Sequence, residues 1–233
     1  MSEVFFNGPA GRIEGEYVQS DDSKAPVALV LHPHLPPDFF QGNMNHDVII
    51  CLHTLLVKNG FSALKINFRG IGKSQGAFDN GVGELMDAAT ALDWLQLHNP
   101  SSIDYWVAGF SFGAWICMQL IMRRPEVNNF IAVSPPTNKF DFSFLSPCPI
   151  PGLIVQGEQD SIVPEESVLE LVNKLSRQKS IDVEYKSLSG ADHFFRGKID
   201  ELANAVDEYI KQNNRLSTGK KSTSKKHQNK LLL

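Results

Sequence analysis

Tyr105-Trp106-Val107-Ala108-Gly109-Phe110-Ser111-Phe112-Gly113-Ala114 is the stretch on which the reading of this chain turns. An apolar run leads into G-x-S-x-G, and a helical stretch from Ala114 to Met122 follows at once. A serine between a strand end and a helix start occupies a strained turn. The glycines two positions either side leave room where a larger side chain would strike neighbouring backbone. The hydroxyl then stands clear of the sheet, above a helix N-terminus. The element therefore offers a nucleophile, Ser111.

A serine hydroxyl attacks poorly until a base takes its proton, and the base works best when a third group orients it. Downstream, Pro151-Gly152-Leu153-Ile154-Val155-Gln156-Gly157 reads as a short buried strand running into Glu158-Gln159-Asp160-Ser161. An acid just past that strand end shares the sheet edge with the serine turn, which selects Asp160. Glu158 and Asp192 are the alternatives; Asp192, a sequence neighbour of the histidine, is the weaker. Ile181-Asp182-Val183-Glu184-Tyr185 alternates like a strand and leads to Gly190-Ala191-Asp192-His193-Phe194-Phe195. A histidine on a loop between the last strand and the last helix can swing over the same edge, which selects His193.

The order Ser111, Asp160, His193 is that of the α/β-hydrolases. With Leu31-His32-Pro33-His34 and Asn67-Phe68-Arg69-Gly70-Ile71-Gly72-Lys73-Ser74, the chain resembles that superfamily over roughly its first nine-tenths. It is most similar to small bacterial-type members with a His-Pro-His-Pro segment after the third strand, and departs from them at Leu35. The resemblance implies an α/β-hydrolase fold and a serine hydrolase with no metal or organic cofactor. Acyl transfer also needs donors aimed at the developing oxyanion. The backbone N–H of Phe112, next after the serine, is one. The loop after the strand 26–31 should give the second. Pro33 has no N–H, so His34 is the first choice and Leu35 the second.

Strand patterns fall at 3–7, 12–18, 26–31, 61–67, 103–108, 129–134, 152–157 and 181–187, and helical ones near 43–59, 81–98, 112–123, 164–177 and 197–212. The first two strands read as an antiparallel pair through Gly8-Pro9-Ala10-Gly11. The alternation beyond them predicts a mostly parallel eight-stranded sheet flanked by helices. Only Ser134 to Cys148 separates the sixth strand from the approach to the seventh, and Pro135, Pro136, Pro147 and Pro149 oppose a long helix there. No lid domain is expected, and the site should be open or roofed by the 34–45 loop.

Two motifs point elsewhere and are set aside. Gly72-Lys73-Ser74 would end a phosphate-binding loop, but that pattern needs a glycine where Asn67 stands, and no helix opens after Ser74. His32-Pro33-His34 suggests metal, yet a binuclear pattern would require Asp and His where Pro36 and Pro37 stand. Arg69 reads as a structural arginine, and His46 and His53 as helix-surface or satisfied helix-face residues. Phe39-Phe40 and Phe194-Phe195 could line an acyl pocket or simply pack loops.

The 233 residues suit one α/β domain, expected over 1–213. Residues 214–233 read as a disordered basic tail. From Asn213 on there are six basic residues and no acid. Without them the 22 Lys and Arg fall to 16 against 26 Asp and Glu, a net charge of −10. That acidic body gives no reason to expect a nucleic-acid substrate, and the tail's partner, if it has one, is unspecified. No apolar run reaches membrane-spanning length, and Met1-Ser2-Glu3 does not open a signal peptide. Cys51, Cys117 and Cys148 lack metal spacing and predict reduced thiols in a cytoplasmic protein. The expected partner is a small acyl substrate: an ester, a thioester or a similar acyl compound. Two rival readings stand beside it, a serine peptidase on the same fold and a non-catalytic binding protein.

Overall fold

Five residues show how the sheet is made. In Val27–Leu31, the side chains of Val27, Leu29 and Leu31 join one buried cluster, while Ala28 and Val30 join another. A strand whose two faces are both covered reads as unbroken apolar sequence. The computed structural model of the protein describes residues 2–34, 42–145, 147–178 and 182–214. The strands are β1 (Ser2–Gly8), β2 (Gly11–Val18), β3 (Val27–Leu31), β4 (Ser62–Asn67), β5 (Tyr105–Phe110), β6 (Val127–Val133), β7 (Gly152–Gly157) and β8 (Val183–Leu188). The helices are α1 (Asp47–Lys58), α2 (Val82–His98), α3 (Phe112–Ile121), α4 (Glu165–Ser176) and α5 (Ile199–Asn213).

All eight strands form one sheet in the order β1-β2-β4-β3-β5-β6-β7-β8. The β1–β2 and β2–β4 pairs are antiparallel and every other pair is parallel. Residues of α1 and α5 fill the cluster on one face, and those of α2, α3 and α4 fill the other. The parallel strands thus end along one common edge, where β5, β7 and β8 deliver their following loops.

Several boundaries differ from the sequence expectation for local reasons. Helix α1 begins at Asp47, not near 43, because Asn43 Oδ1 accepts from the Asn45 N–H (2.8 Å) and holds a turn there. The His46 Nδ1 then caps the helix by accepting from the Val48 N–H. Strand β5 runs through Gly109 to Phe110 instead of stopping at Ala108. Strand β6 starts earlier, at Val127.

The loop after β4 is fixed by a buried ion pair. Arg69 donates through Nε and Nη2 to both oxygens of Asp87 at 2.9 and 2.8 Å, and its backbone N–H adds a third bond. Removing one partner of such a pair typically costs about 3–5 kcal/mol, so Arg69 is a structural residue, as its sequence setting suggested. Ser74 Oγ accepts from the Glu14 N–H and donates to the Asn67 carbonyl, which ties the Gly72-Lys73-Ser74 turn to β2. No lid domain is built among the described residues. Between β6 and β7 they form only a one-turn 3-10 helix at Ser143–Leu145. The Leu35 site candidate, Phe39-Phe40, most of the 34–45 roof and residues 215–233 of the basic tail lie outside the described residues.

Candidate active site

Ser111 joins β5 to α3 with φ 52° and ψ −118°, a backbone region that side chains other than glycine rarely adopt. Packing holds it there. A Cβ on Gly109 would sit 2.3 Å from the Gly113 carbonyl oxygen, and a Cβ on Gly113 would sit 2.1 Å from that of Leu31. Only glycine lets the start of α3 lie directly on β5 and on the end of β3. The Ser111 N–H donates to the Val133 carbonyl of β6 at 2.8 Å, which anchors the turn to the next strand.

The fold brings the three predicted side chains together. His193 Nε2 lies 3.2 Å from Ser111 Oγ, and His193 Nδ1 lies 2.7 Å from Asp160 Oδ2. Relative exposures are 7% for Ser111, 5% for Asp160 and 2% for His193, so bulk water competes little for these contacts. Asp160 Oδ1 accepts from the N–H groups of Ile162 and Val163 at 2.9 and 2.8 Å. The loops are stapled as well: Glu158 N–H donates to the Leu188 carbonyl, and Gln159 N–H to the Ala191 carbonyl. The two alternative acids are spent elsewhere. Glu158 accepts from Ser189 and the Gly190 N–H, which holds its carboxyl below the usual carboxylate range. Asp192 accepts from the N–H groups of Phe194 and Arg196.

Sequence reasoning missed Gln156. Its Nε2 donates to Asp160 Oδ2 at 3.0 Å and to the Val163 carbonyl at 2.8 Å, so it locks the carboxylate from the side opposite the backbone donors. A lone polar residue in Leu153-Ile154-Val155-Gln156, four before the acid, was the signal available.

Phe112 opens α3, where the first N–H groups have no helical acceptor. His34 borders the same cavity as Ser111 and Phe112, with its ring stacked on Phe78 at 3.9 Å. His32 holds the segment before it. The Phe68 N–H donates to His32 Nε2 (3.0 Å), so the proton resides on Nδ1, which donates to the Pro33 carbonyl (2.6 Å). Burial, the largest influence, drives this imidazole down to about 4. His46 is also lowered to about 4, chiefly by burial. Its ring packs 5.0 Å from Phe110, which in turn packs 5.1 Å from His193. His53 is buried with Nε2 3.1 Å from the Ala63 carbonyl. No three His, Cys, Asp or Glu side chains among the described residues could hold a metal ion together.

The cavity over Ser111 measures about 490 Å³ and is walled mainly by Phe78, Phe112, Pro136, Phe140, Ile162 and Val163. Phe194 and Phe195 are not on this wall. Phe195 is fully buried against the α5 side, and Phe194 stands edge-on to His193 at 5.1 Å, so this pair packs the loop and does not line the pocket. Among the described residues, no helix is long and apolar enough to cross a membrane.

The strand order, the strained serine turn and the single uninterrupted sheet define an α/β-hydrolase fold without a lid. Residues 69–223 match the dienelactone hydrolase family, and the chain belongs to that family. It is 56% identical over 214 residues to an uncharacterized protein of Rickettsia prowazekii (strain Madrid E), covering 90% of this chain and 89% of the other. Among solved structures it resembles an α/β-hydrolase-like protein of unknown function from Agrobacterium tumefaciens. That match has 53% identity and a TM-score of 0.87, over 91% of this chain and 95% of the other. It also resembles a Xanthomonas campestris α/β serine hydrolase without lid, at 27% identity and a TM-score of 0.78, over 91% and 94% of the two chains.

Proposed function

We propose that this chain is a serine hydrolase that cleaves an ester, thioester or similar acyl bond through an acyl-enzyme. The observation that carries the reading is the unbroken hydrogen-bond relay from Ser111 Oγ through His193 to Asp160, at 3.2 and 2.7 Å. The Asp160 carboxylate only accepts, so the imidazole keeps its proton on Nδ1 and turns a free lone pair on Nε2 toward the serine.

Ser111 Oγ attacks the substrate carbonyl carbon while its proton passes to His193 Nε2. The carbonyl electron pair becomes an oxyanion, held by the backbone N–H groups of Phe112 and His34. Collapse of that intermediate breaks the bond to the leaving group, which takes the proton from Nε2. Water then repeats the sequence on the acyl-serine, releasing the acid and restoring the serine. A second reading, peptide hydrolysis, draws on Lys139, a residue that borders the cavity and carries a charge that could meet a substrate carboxylate.

A fluorophosphonate probe should label the folded protein on Ser111, read by mass spectrometry of the modified peptide. Ser111→Ala should abolish labelling, and small soluble esters should be turned over by the parent protein. Labelling at another residue, or none in folded protein, would sink the hydrolase reading. Labelled Ser111 with peptides cleaved and esters untouched would select the peptidase.

A further inference from the structure

Among the described residues, the rings around Ser111 fall into two separate groups. His46, Phe110, His193 and Phe194 contact one another on one side. His34, Phe78, Phe112 and Phe140 form the other, with ring centroids 3.9 to 6.0 Å apart. Phe110 and Phe112, the residues flanking the serine, belong to opposite groups and to opposite faces of the sheet. The leaving group must take its proton from His193 Nε2, so it departs on the imidazole side. The acyl part of the substrate is then left against Phe78, Phe112 and Phe140.

That wall has an unfinished stack. His34 covers one face of Phe78 with nearly parallel planes, 5° apart, yet Phe78 is 41% exposed overall and borders the cavity. Behind it, Phe140 is clamped on Trp115 at 4.1 Å, and the Trp115 indole N–H donates to the Asp141 carbonyl, so this ring is held in place. Flat rings at fixed positions favour an aromatic guest through stacked and edge-to-face pairing beyond what area burial supplies.

We infer that the acyl group this site takes is an arylalkyl one, with its ring against Phe78 and Phe140. The inference rests on the hydrolase reading above and specifies its substrate class. It separates from simple hydrophobic preference, because a cyclohexyl group has more apolar surface than phenyl and burial alone would favour the saturated ring.

The test pairs methyl phenylacetate with methyl cyclohexylacetate, with each rate divided by its rate of hydroxide hydrolysis. A mirrored pair, benzyl acetate and cyclohexylmethyl acetate, moves the ring to the alcohol side. The phenyl acyl ester should show kcat/KM about three- to tenfold higher, and the mirrored pair should show no such gap. Phe78→Leu and Phe140→Leu should each erase most of the preference. Benzylboronic and cyclohexylmethylboronic acids, in which boron takes the place of the ester carbonyl carbon and adds reversibly to the serine, give a reading independent of leaving group. Protection of Ser111 from the fluorophosphonate should follow the same order. An equal or reversed order, a preference on the alcohol side, or full preference in both leucine variants would overturn the inference. So would a failure of both boronic acids to protect. Continued labelling of Ser111 in any of these cases would leave the hydrolase reading standing.

Discussion

Replacing Asp160 by Asn changes one atom and tests the whole relay. All four partners of this carboxylate are donors: two backbone N–H groups on Oδ1, and the Gln156 amide and His193 Nδ1 on Oδ2. An Asn side chain must aim its NH2 at one of these pairs. On the Oδ1 side it would meet two N–H groups that cannot turn away. On the Oδ2 side His193 can yield by moving its proton to Nε2 and accepting at Nδ1, while the Gln156 amide gives up its bond to residue 160 and keeps the one to the Val163 carbonyl. The second arrangement leaves the loop nearly intact but turns an N–H toward Ser111, which removes the base. In a serine-protease triad the same exchange lowers kcat by about 10⁴, and a loss of roughly 10³ to 10⁴, about 4–5.5 kcal/mol of barrier, is expected here. Steady-state kcat on a soluble ester measures it, with a thermal melt to show that the fold persists. Ser111→Ala and His193→Ala should cost more. Glu158→Gln, which alters only an exposed carboxyl on Ser189 and Gly190, should change kcat less than about fivefold. A damaging Glu158→Gln beside a mild Asp160→Asn would refute the assignment of the acid.

Three further outcomes are expected. Above pH 6.5 His32 and His46 are neutral whether the chain is folded or not; from 6.5 down to about 4 only the unfolded chain takes the protons, so stability falls across that window, by up to about 3 kcal/mol per group. His46→Asn keeps a helix cap and removes one titration, so melts at pH 7 and pH 4.5 should differ less than in the parent protein; an unchanged difference would show that His46 plays no part. Removal of residues 215–233 should leave the melting temperature and ester turnover unchanged; the cut follows Asn214, which is buried and donates to the Asn59 carbonyl, and a drop of many degrees would show that the tail packs on the body. Rates on straight-chain esters should peak at short or medium acyl length without a jump above the micellar concentration, because the described residues between β6 and β7 form no lid; rates climbing through long chains with such a jump would contradict it.

The strands and the serine turn were legible because their signals are local: short apolar or alternating runs, and glycines at fixed offsets from Ser111. Asp160 and His193 could be picked out because each follows a strand on one edge. What the sequence concealed depends on partners far along the chain. β4 lies between β2 and β3, an order no local pattern encodes. Gly109 looks like a turn residue, yet it is extended strand because helix backbone rests on it. Gln156 gains its role only once β7 is paired and the Asp160 loop has folded back. Phe78 and Phe140 sit in irregular loops, where nothing in the neighbouring residues distinguishes a cavity wall from ordinary packing.

The position of β8 has a consequence for how long the site survives under stress. β8 is the last strand of the sheet, pairs only with β7, and has half-buried or exposed residues throughout. His193 hangs from the loop beyond it. If this edge opens locally, at a free energy below that of global unfolding, the imidazole leaves Ser111 while the central strands remain formed. The protein then has two stabilities, one for its fold and a lower one for its relay. Denaturant should extinguish probe labelling before it melts the far-UV circular dichroism signal. Coincident midpoints would mean that the edge and the core open as one unit.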